Sequence, residues 1–130
     1  MPELERFQLA SQGIFVDREV VAYAVQLVDG TRNPERYGLA ELGELIQYGA
    51  SPRGAIGMVQ AGQALALLRG RRHVLVEDVR DLAFDVLRHR LVLSYDALSD
   101  GVTADDILTR IVDTLSTNAG VRTTEHDAAA

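Results

Sequence analysis

The chain has 130 residues, 47% of them hydrophobic and 25% charged, which suits one domain with a modest core. It has no cysteine, so disulfides, thiolate catalysis and cysteine-based metal sites are excluded, and all thirteen basic residues are arginine, so a Gly-rich phosphate loop with its lysine is excluded too. The net charge of −6 argues against a free-standing nucleic-acid binder. That charge is unevenly spread: Ser51 to Val92 carries seven arginines against four acids, and the remainder six against fifteen.

Residues 1–14 read as a lead-in segment, with an acidic start (Glu3, Glu5) that lacks the basic region of a signal peptide. No run approaches the roughly eighteen apolar residues of a membrane span, so no membrane association and a cytoplasmic location are expected. From Asp17 to Asp29, Val20, Val21, Ala24, Val25, Leu27 and Val28 recur at helical spacing, with Asp17 as N-cap and Gly30 as the stop. Residues 31–50 form a connector punctuated by Asn33-Pro34, Gly38, Gly43 and Gly49, with room for one short helix over Ala40 to Tyr48.

A central helix is predicted from Pro52 to Arg69, with Ser51 as its N-cap, Pro52 preset at the first helical position and Gly70 as its end. Met58, Ala61, Leu65 and Leu68 share one face. Gly57 and Gly62 each cost about 1 kcal/mol against alanine inside a helix, and close packing is the expected compensation. Val74-Leu75-Val76 reads as extended or a turn, and Glu77 and Asp78 sit on the first turn of a helix carrying Val79, Leu82, Val86 and Leu87. That helix is expected to bend near Phe84-Asp85. Thr103 and Asp106 form a capping box for a last amphipathic helix through Ile107, Leu108, Ile111, Val112 and Leu115, and residues 117–130 read as a flexible tail. The fold class is all-α, a small bundle of four to five helices over residues 15–116.

Arg53 is the residue with most chemical content. It lies on the first turn of the central helix, where the positive end of the helix dipole and the amides after Gly49, Ser51 and Pro52 would favour phosphate oxygens. On the residues alone, an ordinary solvated arginine is the simpler reading. Arg69, Arg71, Arg72, Arg88 and Arg90 could form a basic surface, but no aromatic residues interleave with them for base stacking, so a protein or nucleotide-domain contact fits at least as well as an RNA contact. His73, His89 and His126 have no metal-ligand spacing, and the Asp85/His89 pair has no nucleophile to activate.

Five fragments in order carry a resemblance: Leu27-Val28-x-x-Thr31-Arg32-Asn33, Tyr48-Gly49-Ala50-Ser51-Pro52-Arg53, Leu68-Arg69-Gly70-Arg71, Val74-x-Val76-Glu77-Asp78-Val79 and Val86-Leu87-Arg88-His89-Arg90-Leu91. From about Ile14 to Leu115 the chain resembles the C-terminal lid of MoxR-type AAA+ ATPases. It departs from that pattern at Val76, where threonine or proline is usual, and at Phe84-Asp85, where proline is common. The resemblance implies that Arg53 is the sensor 2 arginine, with Gly49, Ser51 and Pro52 shaping its turn, and that Arg32, Arg71 and Arg90 are interface candidates. It further implies that ATP and Mg2+ are held by an N-terminal α/β domain absent from this fragment, which alone should bind neither and be inactive. By the same resemblance, the parent is a hexameric, chaperone-like ATPase whose neighbouring subunits touch the lid and whose clients often carry a von Willebrand factor A domain. A stand-alone helical adaptor, binding a protein or nucleic acid through its arginine-rich surface, is the competing reading.

Overall fold

The computed structural model describes residues 2–115; the predicted tail lies outside them. Six α-helices follow in chain order: α1 Pro2–Gln12, α2 Arg18–Arg32, α3 Arg53–Leu68, α4 Val76–Leu87, α5 Tyr95–Ser99 and α6 over 104–115. The all-α reading stands, with one addition. Strands β1 (Ile46–Tyr48) and β2 (Val92–Leu93) pair antiparallel, Ile46 opposite Leu93 and Tyr48 opposite Val92. The helix predicted over Ala40 to Tyr48 is therefore split: Ala40–Glu44 winds as a 3-10 turn, and the chain then extends to meet a partner far along the sequence. The lead-in segment also folds, as α1, which packs along α3 without burying a residue.

Local signals explain most helix ends. Asp17 caps α2 by accepting from the Glu19 amide, and Thr103 and Asp106 exchange side-chain-to-backbone bonds at 3.0 and 3.1 Å, the predicted capping box of α6. Gly70, at φ 75°, terminates α3 in the left-handed conformation that glycine adopts without penalty, and the Arg71 amide reaches back to the Ala66 carbonyl.

Gly30 does not stop α2, which runs two residues further to Arg32. It is buried, and a Cβ there would sit 2.9 Å from Cγ2 of Ile111, so its role is to let α2 and α6 approach. The buried stripe of α3 is Gly54, Ala55, Met58, Gly62 and Ala66, and Leu68 is instead 72% exposed. Gly62 takes an inward position because α4 and the segment leading into it lie close: a Cβ there would come within 3.2 Å of Val74 and 3.5 Å of Val79. No break occurs at Phe84-Asp85; α4 continues to Leu87 and tightens into a 3-10 turn at Arg88–Arg90.

The core joins α2, α3, α4 and α6 through Leu27, Met58, Val79, Leu87, Ile107 and Ile111, each 1% exposed or less. Asp78, on the first turn of α4, is fully buried. Its carboxylate accepts from Arg69 at 2.9 Å, from both terminal nitrogens of Arg71 at 2.8 and 2.5 Å, and from the Leu75 amide at 2.8 Å. This ties the end of α3 to the start of α4. Burial pushes the Asp78 carboxyl up, but the hydrogen bond from Arg71, the Leu75 amide and the arginine charges outweigh it and hold the carboxyl below its ordinary value of 3.8.

Candidate functional site

The start of α3 is set by the end of α2. Thr31 is buried, and its hydroxyl donates to the Val28 carbonyl at 2.6 Å and accepts the Ala50 amide at 2.9 Å. Gly49 lies so close that a Cβ on it would stand 2.4 Å from the Thr31 carbonyl oxygen. Beyond this contact the chain has only Ser51 and Pro52 before α3 begins at Arg53.

The predicted Ser51 cap is not formed. Pro52 occupies the capping position in helical conformation, no side chain caps the helix, and Ser51 contributes its carbonyl, which accepts the Gly54 amide at 2.8 Å. The Ala55 amide similarly bonds the Pro52 carbonyl at 3.1 Å. Two first-turn amides are thereby already occupied, so anion binding at this end would fall mainly to side chains. The first turn of α3 holds no acid, whereas those of α2 and α4 do.

Arg53 is exposed and has no hydrogen-bond or ion-pair partner among the described residues. Two of the three predicted interface arginines lie near it and are likewise exposed and unpaired. Arg32 lines a cleft of about 310 Å³ with Pro52 and Ala55, and a second depression with Gly49, Ala50 and Ser51. Arg90 runs across the other glycine-bearing side of the helix, its Cδ 3.7 Å from a Cβ built on Gly54 and its Nη2 3.9 Å from one on Gly57. Three cations without partners among the described residues thus lie on or beside the first two turns of α3.

Arg71 does not join them, because it is bound to the buried Asp78 inside the fold. Three of the five arginines of the wider basic surface are likewise engaged, while Arg72 and Arg90 are exposed. Arg69 bonds Asp78 and Asp81, and Arg88 bonds Asp105 through two nitrogens at 2.7 and 3.1 Å. These internal pairs remove most of the charge on which the adaptor reading depends. Asp85 faces Arg88 at 3.5 Å, not His89. Among the described residues no group of three or more His, Asp or Glu gathers as a metal site, and no helix is long and apolar enough to cross a membrane. The sequence reading missed Thr31 as an anchor, since the only local hint is a threonine ahead of Arg32 at the end of an amphipathic helix.

Comparison with known proteins identifies the domain. The family model described as AAA lid domain matches residues 42–111, more than half of the chain. The chain belongs to the AAA lid domain family. The lid is of the MoxR type: it is 40% identical over 114 residues to chaperone MoxR1 of Mycobacterium tuberculosis, covering 88% of this chain and 30% of that protein. It is also 42% identical over 76 residues to protein MoxR of Paracoccus denitrificans, covering 55% and 22%. A crystal structure of a candidate ATPase from Cytophaga hutchinsonii superposes on the lid with a TM-score of 0.79 at 33% identity, covering 81% of this chain and 32% of that one. The lid therefore spans about a third or less of the length of the relatives it matches.

Proposed function

We propose that this lid supplies Arg53 as the sensor 2 arginine of a MoxR-type ATPase, reaching the terminal phosphate of ATP held by an α/β domain of the same polypeptide. The observation that carries the reading is the free guanidinium of Arg53 on an α3 first turn that has no acid to neutralise it. A guanidinium offers phosphate two parallel charge-assisted hydrogen bonds, which suits it to sense whether a γ-phosphate is present. With no lysine in the chain, the phosphate loop belongs to the α/β domain, as do the ligands of Mg2+. When bound there, ATP supplies the phosphoryl bond that is hydrolysed.

This chain's contribution is a contact that exists before hydrolysis and is lost after it. A lid that binds the triphosphate state more tightly than the diphosphate state shifts its own position between them, as a rigid body hinged outside its core. Assembly as a hexamer in the cytoplasm, with neighbouring subunits touching the lid at Arg32 and Arg90, and action on client proteins with von Willebrand factor A domains complete the proposal. In the polypeptide carrying this lid, Arg53→Ala is expected to lower ATP turnover at least about tenfold, a loss of about 1.4 kcal/mol of transition-state stabilisation. The lid itself should stay folded by circular dichroism. Wild-type turnover with unchanged client remodelling in R53A would overturn the assignment.

A further inference from the structure

The way α3 is hung from α2 adds a residue to this site, on the premise that Arg53 is the sensor. Thr31 uses its hydroxyl twice: it donates to Val28 within its own helix, which leaves a lone pair aimed outward, and that lone pair takes the Ala50 amide 19 residues along the chain. Thr31 and Ala50 are each 1% exposed, so water cannot replace the bond if it is broken. Next to it, the Gly49 backbone lies against the backbone of α2, with space for no side chain: a Cβ would be 2.4 Å from the Thr31 oxygen and 2.8 Å from the Arg32 nitrogen. Hydroxyl and glycine together form a latch with one seating.

Two residues then separate Ala50 from Arg53, and both are constrained. Pro52 has its φ fixed by its ring, and the Ser51 carbonyl holds the Gly54 amide at 2.8 Å. Little slack exists between latch and arginine. Arg32, adjacent to Thr31, also lines the depression formed by Gly49, Ala50 and Ser51, so the same latch ties the backbone that carries Arg32 to the segment leading to Arg53.

We propose that Thr31 is a positioning residue for Arg53, acting through the Ala50 amide to set where the guanidinium meets the nucleotide's terminal phosphate. The prediction separates hydroxyl from bulk. In the polypeptide carrying the lid, Thr31→Val, which keeps the shape and removes the hydroxyl, should lower ATP turnover about tenfold, as misplacement of a catalytic contact does. Thr31→Ser, which keeps both bonds, should stay within about twofold of wild type. The double variant T31V/R53A should turn over no more slowly than R53A alone, because Thr31 has nothing to position once Arg53 is gone. Turnover in T31V equal to wild type while R53A falls, failure of T31S to rescue, or multiplication of the two single effects would each overturn the positioning role. Wild-type turnover in R53A would overturn the sensor reading itself and this inference with it. If T31V does not fold by circular dichroism, T31A replaces it, and loss of fold in both assigns Thr31 a structural role only and overturns the proposal.

Discussion

Asp78→Asn tests the junction that holds α3 and α4 together. Asp78 is fully buried and accepts four hydrogen bonds, three of them from the guanidinium groups of Arg69 and Arg71. Each charge-assisted bond is worth about 1.5–3 kcal/mol when broken alone, but the four share one carboxylate and do not add. The arginine side chains are 42% and 25% exposed, so water recovers part of their solvation once the carboxylate is gone. The net loss comes to about 2–3 kcal/mol, less than the 3–5 kcal/mol of a pair stranded wholly in the interior. For a domain of this size that lowers the melting temperature by about 10 °C.

Urea and thermal unfolding followed by circular dichroism read the change, with Asp81→Asn as the control. Asp81 is 53% exposed with one bond to Arg69 at 3.1 Å, so its loss should stay within about 0.5 kcal/mol. The sign with pH follows from the depressed carboxyl of Asp78: its stabilisation is fully present above 3.8 and is lost as pH falls through the lower folded value. The gap between wild type and D78N should therefore close in that acid range. Equal stabilities of D78N and D81N at neutral pH, or a gap that persists in acid, would show that the Asp78 carboxylate does not hold α3 to α4.

Glycine substitutions should separate backbone from side-chain crowding. Gly49→Ala places a methyl 2.4 Å from a helix carbonyl that cannot rotate away and should cost about 2–3 kcal/mol in urea unfolding, whereas Gly62→Ala meets the buried side chains of Val74 at 3.2 Å and Val79 at 3.5 Å, so crowding offsets the about 1 kcal/mol of helix propensity regained and the net change should stay within about 1 kcal/mol. Met58→Ala, at a site with no exposure, should cost about 2–4 kcal/mol by the same measurement, while Ile56→Ala, two residues away and 60% exposed, should change stability by less than about 0.5 kcal/mol. Because Arg69, Arg71 and Arg88 are engaged internally, fluorescence titration of the labelled chain with RNA should show no salt-sensitive submicromolar binding; such binding would revive the adaptor reading.

The parts of this fold legible in the sequence are those set within a turn of helix. Asp17, Gly70 and the Thr103/Asp106 box each act on amides or carbonyls a few residues away, and the apolar residues of α6 are buried as their spacing required. What was not legible depends on partners distant in sequence. Gly30 reads equally as a helix stop or as a close approach, and only Ile111 decides between them. The strand at Ile46–Tyr48 exists because Val92–Leu93 is there to pair with it, and Arg71 is an internal residue because Asp78 is buried beside it. Ser51 had the chemistry of a cap, but helical geometry at Pro52 moved the start one residue on. At the site, Arg53 was legible as a cation on a helix start; that Thr31 and Gly49 fix its place was not, since that contact joins two helices across a connector.

Under the proposed function, Arg53 meets the terminal phosphate of a nucleotide held by another domain. A structure of the whole polypeptide with Mg2+ and a non-hydrolysable ATP analogue tests it most directly. The Arg53 guanidinium is expected about 2.8 Å from a γ-phosphate oxygen, with the bond between Thr31 and Ala50 intact. Arg53 turned to solvent, with the γ-phosphate held entirely by residues outside this lid, would contradict it.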